Sequence, residues 1–95
     1  MIESFADSET EKVYHGVVSR RLPVMIQKVA RRKLLYLNEA MDLRDLLASP
    51  GNHVEALRGD RSGQYSIRIN DQWRICFVWD GGRAHQVEIV DYHRG

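Results

Sequence analysis

Three consecutive residues, Asp91, Tyr92 and His93, carry side chains suited to proton transfer on an RNA backbone. Attack of a ribose 2′-hydroxyl on its phosphate needs a base for the 2′ proton and an acid for the leaving oxygen. It also needs cations that stabilise the extra negative charge. Histidine titrates near neutral pH, and a neighbouring aspartate can orient it. The three residues by themselves also fit a plainer interpretation, a solvated polar chain end.

Arginine is the second chemical signal, because its permanent charge and forked donors match phosphate. Arg74 lies among large apolar residues, where it is either a phosphate ligand on an open sheet face or a surface residue whose stem covers apolar neighbours. Between residues 58 and 74, two aspartates stand against four arginines: Arg58, Arg61, Arg68 and Arg74. The net charge is only +1, so this local excess, rather than the total charge, predicts a basic face.

The sequence predicts no metal and no cofactor. Asp91 and His93 alone are too few ligands for zinc, and the other histidines are scattered along the chain: His15, His53 and His85. The single cysteine, Cys76, excludes an internal disulfide, which suits the cytosol. Neither a secretion signal nor an apolar run of membrane-spanning length is visible. We therefore expect a cytoplasmic protein that does not bind membranes.

Two helices and part of a third are predicted ahead of residue 50. Ser8 is expected to cap a short helix over about residues 9–14 that stops near Gly16. Pro23 suits the start of a longer amphipathic helix. Its apolar stripe follows the 3–4 spacing through Ile26, Val29, Lys33 by its stem, Leu34, Leu37 and Met41. Residues 42–48 add a further helical turn or two.

After Gly51 the hydrophobic period changes to two. Strands are predicted over residues 65–69, 73–79 and 86–92, and a short one over residues 1–5. The predicted fold is a single α+β domain, residues 1–95, with N-terminal helices packed on one face of a mostly antiparallel β-sheet. If Trp73 and Ile75 face the helices, Arg68 and Arg74 face the open side. Cys76 is assigned to the core as a small apolar residue.

Two stretches together resemble a known family. Residues 52–77 contain the run Leu57-Arg58-Gly59-Asp60, the strand Ser66-Ile67-Arg68 and the pair Trp73-Arg74, and residues 87–93 end in Asp91-Tyr92-His93. This combination resembles the HigB toxins of the RelE/ParE superfamily of toxin–antitoxin systems. The opening residues 1–5 also fit, so the resemblance spans nearly the whole chain.

The resemblance implies a compact RelE-like fold and a type II toxin that cuts mRNA in the ribosomal A site without a metal. The implied partners are the ribosome with its A-site mRNA and a neutralising helix-turn-helix antitoxin of the HigA type. Operator DNA is expected to be bound only through this antitoxin. Arg74, Asp91, Tyr92 and His93 match active-site positions of the family, and Arg58 matches a basic residue before its Gly–acid pair. His93 is then the general acid or base oriented by Asp91, Tyr92 stacks on or positions the nucleotide, and Arg74 stabilises the phosphorane.

One position departs from the family pattern. Glu55 stands where well-studied members carry a histidine, which leaves three alternatives: Glu55 is the base, His93 does more of the proton transfer, or cleavage is slow. Arg58, Arg61 and Arg68 are expected to hold phosphates of the RNA or the ribosome. Two other functions stay open at this point: a non-enzymatic inhibitor with the same fold, like the ParE toxins, and an interaction module derived from an inactive toxin.

Overall fold

Within residues 1–92, which the computed structural model describes, three α-helices precede a four-stranded sheet. The helices are α1 (Ser8–Tyr14), α2 (Val24–Glu39) and α3 (Leu43–Leu47). The strands are β1 (Glu55–Ala56), β2 (Gln64–Arg68), β3 (Trp73–Asp80) and β4 (Arg83–Asp91). Single turns of 3₁₀ helix, Pro50–Asn52 and Gly59–Arg61, flank β1. The predicted α+β fold class is confirmed.

Helix α1 is capped by Asp7, so the predicted cap at Ser8 is wrong. Asp7 is extended, and its Oδ1 accepts a hydrogen bond from the backbone N–H of Thr10 at 2.7 Å. Ser8 is already the first helical residue. An ionised carboxylate is a better acceptor than a hydroxyl at the positive end of a helix, which explains why the cap falls on the aspartate.

Helix α2 buries one stripe of side chains against the sheet: Ile26, Ala30, Leu34 and Leu37. Val29 is partly buried beside them, as predicted. Met41 is not part of the stripe, because it is 84% exposed. The helix ends at Glu39, two residues before Met41, and Ala40 is extended. Met41 therefore does not lie on the buried side of the helix.

The sheet has the order β1-β2-β3-β4 and is antiparallel throughout. Ile67, Ile75 and Ile89 lie side by side across β2, β3 and β4 and pack with α2 in the core. The strand predicted over residues 1–5 is reduced to two parallel bridges beside β4, Ile2 with Ala84 and Phe5 with Val87. The helices therefore cover one face, and the other face is left for loops and polar side chains.

Arginines lie on the helix-free face, as the alternation predicted. Arg68 of β2 is the direct neighbour of Arg74 of β3. This face is nevertheless not open at Arg74, which is only 8% exposed, or at the fully buried Ser66. A residue pattern of period two assigns a side chain to a face but does not show which loop folds over it.

Cys76 lies on this helix-free face and not in the helix-packed core to which the sequence assigned it. Its neighbours across the sheet are Ser66 and Glu88, and it is fully buried. Arg61 forms an ion pair with Glu88 at 3.2 Å, beside the cysteine. Burial raises the pKa of the Cys76 thiol, so it stays protonated and inert, as its assignment as a small apolar residue implied.

Candidate functional site

Arg74 is held in place by hydrogen bonds on one side of its guanidinium. Nε donates to Ser66 Oγ at 2.7 Å, and Nη2 donates to the carbonyl oxygens of Ser66, at 3.4 Å, and of His53. The His53 carbonyl is placed there by a left-handed backbone conformation (φ 43°, ψ 59°) after the Pro50–Asn52 turn. These contacts fix the guanidinium plane and leave Nη1 to face other groups.

Glu55 lies on the Nη1 side of Arg74. Its Oε1 is 3.4 Å from Nη1, and its side chain is about half exposed. Strand β1 pairs Glu55 with Ser66, the residue that also holds Arg74. The two residues are 19 positions apart, so their spacing does not predict this contact, and the sheet register brings them together.

Tyr92 covers the same guanidinium from the end of β4. Arg74 Cζ lies 5.8 Å from the centroid of the Tyr92 ring, within the range of a cation–π contact. The backbone N–H of Tyr92 donates to the carbonyl of Gln72 at 2.6 Å, which fixes the start of the chain beyond the strand. One face of the aromatic ring is thus committed to Arg74.

A cleft of about 600 Å³ opens between these groups, lined by residues 55–58 and Tyr92. Buried Leu57 anchors its wall, because the Leu57 N–H donates to the carbonyl of Gln64 at 2.8 Å. Arg58 follows it and is exposed. The fold therefore brings three predicted site residues to one cleft, Glu55, Arg58 and Tyr92, and places Arg74 in contact with two of them.

Lys33 of α2 adds a cation that the sequence analysis did not assign to the site. Its Nζ donates to Asn52 Oδ1 at 2.8 Å and to the Gly51 carbonyl at 3.2 Å. Burial lowers the Lys33 pKa, and repulsion from Arg32, Arg68 and Arg74 lowers it further. Lys33 therefore contributes positive charge beside the site, although it does not line the cleft.

Arg68 and Arg61, both predicted to hold phosphates, have carboxylate partners. Arg68 pairs with the exposed Asp71. Arg61 pairs with Glu88 and also donates to Gln64 Oε1 at 3.1 Å. Arg68 lies directly beside Arg74, whereas Arg61 lies further along the same face and does not line the cleft.

Asp91 and Tyr92 point to opposite sides of the end of β4. Asp91 is the neighbour of Trp73 across the sheet, and its Oδ2 accepts from Gln72 Nε2 at 3.1 Å. Tyr92 instead meets Arg74. His93, the predicted acid or base, lies outside the described residues.

Among residues 1–92, no group of three or more histidine, cysteine, aspartate or glutamate side chains is placed to hold a metal ion. No helix in this part of the chain is long and apolar enough to cross a membrane. The cleft has an exposed arginine, a carboxylate and an aromatic ring, and the fixed guanidinium of Arg74 contacts the last two. Such a set can bind a phosphodiester, stack on a base and accept a proton.

Comparison with known proteins gives a consistent result. The model of the family described as the RelE-like toxin of the type II toxin–antitoxin system HigB matches residues 3–93. Toxin HigB-1 of Vibrio cholerae serotype O1 is 39% identical over 85 residues, which cover 88% of this chain and 90% of that protein. Endoribonuclease HigB of Proteus vulgaris is 27% identical over 93 residues, which cover 98% of this chain and all of its relative.

Among solved structures, the YoeB–YefM complex from Staphylococcus aureus contains a similar chain, with a TM-score of 0.60 and 17% sequence identity over 99% of both chains. A second structure, titled as the heterotetrameric complex of the YoeB–YefM toxin–antitoxin from the same organism, gives the same values. At this identity the likeness concerns the fold, and it confirms the predicted compact RelE-like architecture.

Proposed function

The chain belongs to the HigB-like toxins, RelE-like toxins of type II toxin–antitoxin systems, and from that premise we propose that it is a ribosome-dependent, metal-independent mRNA endonuclease. One of its relatives bears the name Endoribonuclease HigB. The observation that carries the proposal is the geometry of Arg74. This buried guanidinium is fixed by Ser66 and His53, and it contacts Glu55 through Nη1 and the ring of Tyr92, two residues that line the cleft.

The proposed reaction is attack of the ribose 2′-oxygen on the adjacent phosphorus. A base takes the 2′ proton, the new P–O bond forms, and the bond from phosphorus to the 5′-oxygen breaks. An acid returns a proton to that oxygen, which leaves a cyclic phosphate on one fragment and a 5′-hydroxyl on the other. Arg74 stabilises the additional charge on the phosphorane through Nη1, and no metal is required for this role.

Two residues are candidates for the proton-transfer steps. Glu55 has a carboxylate 3.4 Å from Arg74 Nη1 and can serve as the base at the position where the family carries a histidine. His93 then serves as the acid, or as the base if Glu55 only orients Arg74, and Asp91 orients His93. The exposed side of the Tyr92 ring stacks on a base of the substrate and positions the reacting nucleotide.

Substrate ordering is assigned to the ribosome. The chain has a net charge of only +1, so general electrostatic attraction for RNA is weak. Arg58, Arg61 and Arg68 supply local phosphate contacts. A ribosome that presents mRNA in a fixed conformation removes most of the entropic cost of alignment. Isolated RNA should therefore be cut poorly.

The proposed inhibitor is a helix-turn-helix antitoxin of the HigA type, through which alone the toxin is held at operator DNA. The segment between α1 and α2, together with the first turn of α2, offers a suitable surface. Four apolar side chains there are between 54% and 85% exposed: Val17, Val18, Val24 and Met25. Arg20 and Arg21 lie between them and are exposed, so an apolar segment with acidic residues fits this surface. The double variant Val18→Glu, Met25→Glu should no longer co-purify with the co-expressed antitoxin, and its cleavage activity should be intact.

The decisive experiment maps mRNA ends on translating ribosomes. Purified protein is added to stalled ribosome complexes, and primer extension locates the cuts. We expect cuts in phase with the codon in the A site and a cyclic phosphate at the 3′ end of the upstream fragment. The same mRNA without ribosomes should be cut far less. Arg83→Ala serves as a control, because Arg83 pairs with Glu3 at the far end of β4. This variant should cleave like wild type.

The alternatives predict different outcomes. Absence of codon-phased cuts together with gyrase poisoning would replace the nuclease by a ParE-like inhibitor. Absence of cuts together with normal growth on overexpression of the folded protein would leave an interaction module. Cuts of equal efficiency in free RNA would remove the ribosome from the proposal.

A further inference from the structure

Lys33 lies on α2, outside the cleft, yet it contacts the turn that positions Arg74. Its Nζ donates to Asn52 Oδ1 at 2.8 Å and to the Gly51 carbonyl at 3.2 Å. Both acceptors belong to the turn Pro50–Asn52. One amine therefore ties the rigid helix to the turn at two consecutive residues.

The turn is further restrained from inside. Asn52 is only 1% exposed, and its Nδ2 donates to the carbonyl of Leu46 at 2.9 Å, so both ends of the amide are bonded. The next residue, His53, has the left-handed backbone conformation and gives its carbonyl to Arg74 Nη2. A non-glycine residue in this conformation is strained, and neighbouring contacts must hold it there.

The position of Lys33 is electrostatically unfavourable. Its amine is partly buried and repelled by Arg68 and Arg74, and both effects lower its pKa. A neutral side chain would avoid this repulsion. The two hydrogen bonds from Lys33 to the turn offset this unfavourable electrostatic energy.

We propose that Lys33 is a positioning residue for Arg74. It acts through Asn52 and Gly51, which set the Pro50–Asn52 turn, and through the His53 carbonyl, which holds Nη2 of the guanidinium. Lys33 does not touch the substrate. Its effect on cleavage rests on the proposed nuclease function, whereas its effect on Arg74 does not.

The direct test observes Arg74 by NMR in isotope-labelled protein. The Nε–H of Arg74 is bonded to a fully buried Ser66 hydroxyl, so its signal should exchange slowly with water. In Lys33→Met we expect faster exchange and a shifted signal, and in Lys33→Arg, whose guanidinium can donate to both acceptors, recovery of most of the protection. Lys28→Met is the matched control, because it removes an exposed lysine from the same helix. An unchanged Arg74 signal in folded Lys33→Met would overturn the proposal.

The kinetic test separates positioning from binding. A guanidinium displaced by a fraction of an ångström should slow single-turnover cleavage by about tenfold or more. The ribosome concentration at half-maximal rate should change less than about twofold, because no binding contact is removed. A change confined to that concentration would contradict the positioning role. If wild type does not cleave at all, the proposed function fails, and the NMR result still decides the role of Lys33.

Folding is monitored by a thermal melt of each variant. If Lys33→Met does not fold, Lys33→Gln takes its place with the same expectation, since the shorter amide side chain does not span to both acceptors. Loss of Arg74 protection in every folded variant that lacks the two bonds, with recovery in Lys33→Arg, supports the proposal. Equal loss in Lys28→Met would show a general effect of charge on α2 and would overturn it.

Discussion

Replacing Arg74 with alanine tests the chemistry of the cleft most directly. Ser66 and His53 hold Nε and Nη2, so Nη1 is the group that remains for Glu55 and for a phosphate. A single fixed donor to a developing oxyanion is worth about 2–4 kcal/mol, which corresponds to about 30- to 1,000-fold in rate. We expect a loss of this size in the chemical step of Arg74→Ala.

The same substitution also affects stability, and the structure limits by how much. The buried Ser66 hydroxyl and the His53 carbonyl lose their charged donor, and each such hydrogen bond contributes about 1.5–3 kcal/mol. The half-exposed ion pair with Glu55 adds less than about 1 kcal/mol. The total of about 3–7 kcal/mol overlaps the lower part of the roughly 5–15 kcal/mol of a typical domain. The thermal melt therefore decides whether Arg74→Ala folds, and Arg74→Lys, which keeps a donor, carries the test if it does not.

The assay is single-turnover cleavage of ribosome-bound mRNA at saturating ribosomes, paired with a thermal melt. Arg74→Lys keeps the charge but has one amine in place of the fork, so it should fall between alanine and wild type. Arg83→Ala removes an exposed arginine and should leave the rate unchanged. A folded Arg74→Ala protein that cleaves at the wild-type rate would refute the assigned role.

Three further predictions concern other side chains. Glu55→Gln keeps the shape of the side chain but removes the proton acceptor, so the single-turnover rate should fall and its pH profile should change; an unchanged profile assigns the base to another residue. Arg61→Ala loses its ion pair with Glu88 and its hydrogen bond to Gln64 Oε1, so stability should change by about 2 kcal/mol or less, while ribosome binding should weaken and depend less steeply on salt. The pKa of Glu9 is lowered, chiefly by the hydrogen bond from Ser19 Oγ at 2.6 Å and then by Lys12. Ionised Glu9 stabilises the folded protein above pH 4.5, the ordinary pKa of a glutamate. This stabilisation is lost as the pH falls through the lowered pKa of Glu9 in the folded protein. Thermal melts of Ser19→Ala at falling pH should therefore show a smaller loss of stability than wild type.

The order of elements and the two faces of the sheet could be predicted from hydrophobic periodicity. Alternation along residues 73–79 assigns Arg74 and Ile75 to opposite faces, and the register confirms it. The ends of elements were less predictable, because a period continues past the point where the chain turns. Met41 is the example, since α2 stops at Glu39.

The polar contacts within the site could not be predicted from residue types. Arg74 meets Ser66 because a strand register brings them together, and it meets His53 because a left-handed residue turns a carbonyl toward it. Backbone carbonyls carry no signal in the sequence. Lys33 was assigned to the apolar stripe by its stem, and only the position of the Pro50–Asn52 turn reveals what its amine binds.

The structure makes the predicted role of Tyr92, directly after β4, open to a specific test. Asp91 and Tyr92 are consecutive at the end of β4, but their side chains contact different groups. Tyr92 stacks over Arg74 beside the cleft, whereas Asp91 is bonded by Gln72 on the other side. Tyr92→Phe keeps the ring and should cleave nearly like wild type. Tyr92→Ala loses a stacking contact worth about 1–3 kcal/mol and should be about 5- to 150-fold slower. Equal single-turnover rates for the phenylalanine and alanine variants, both folded in a thermal melt, would show that the ring does not position the substrate.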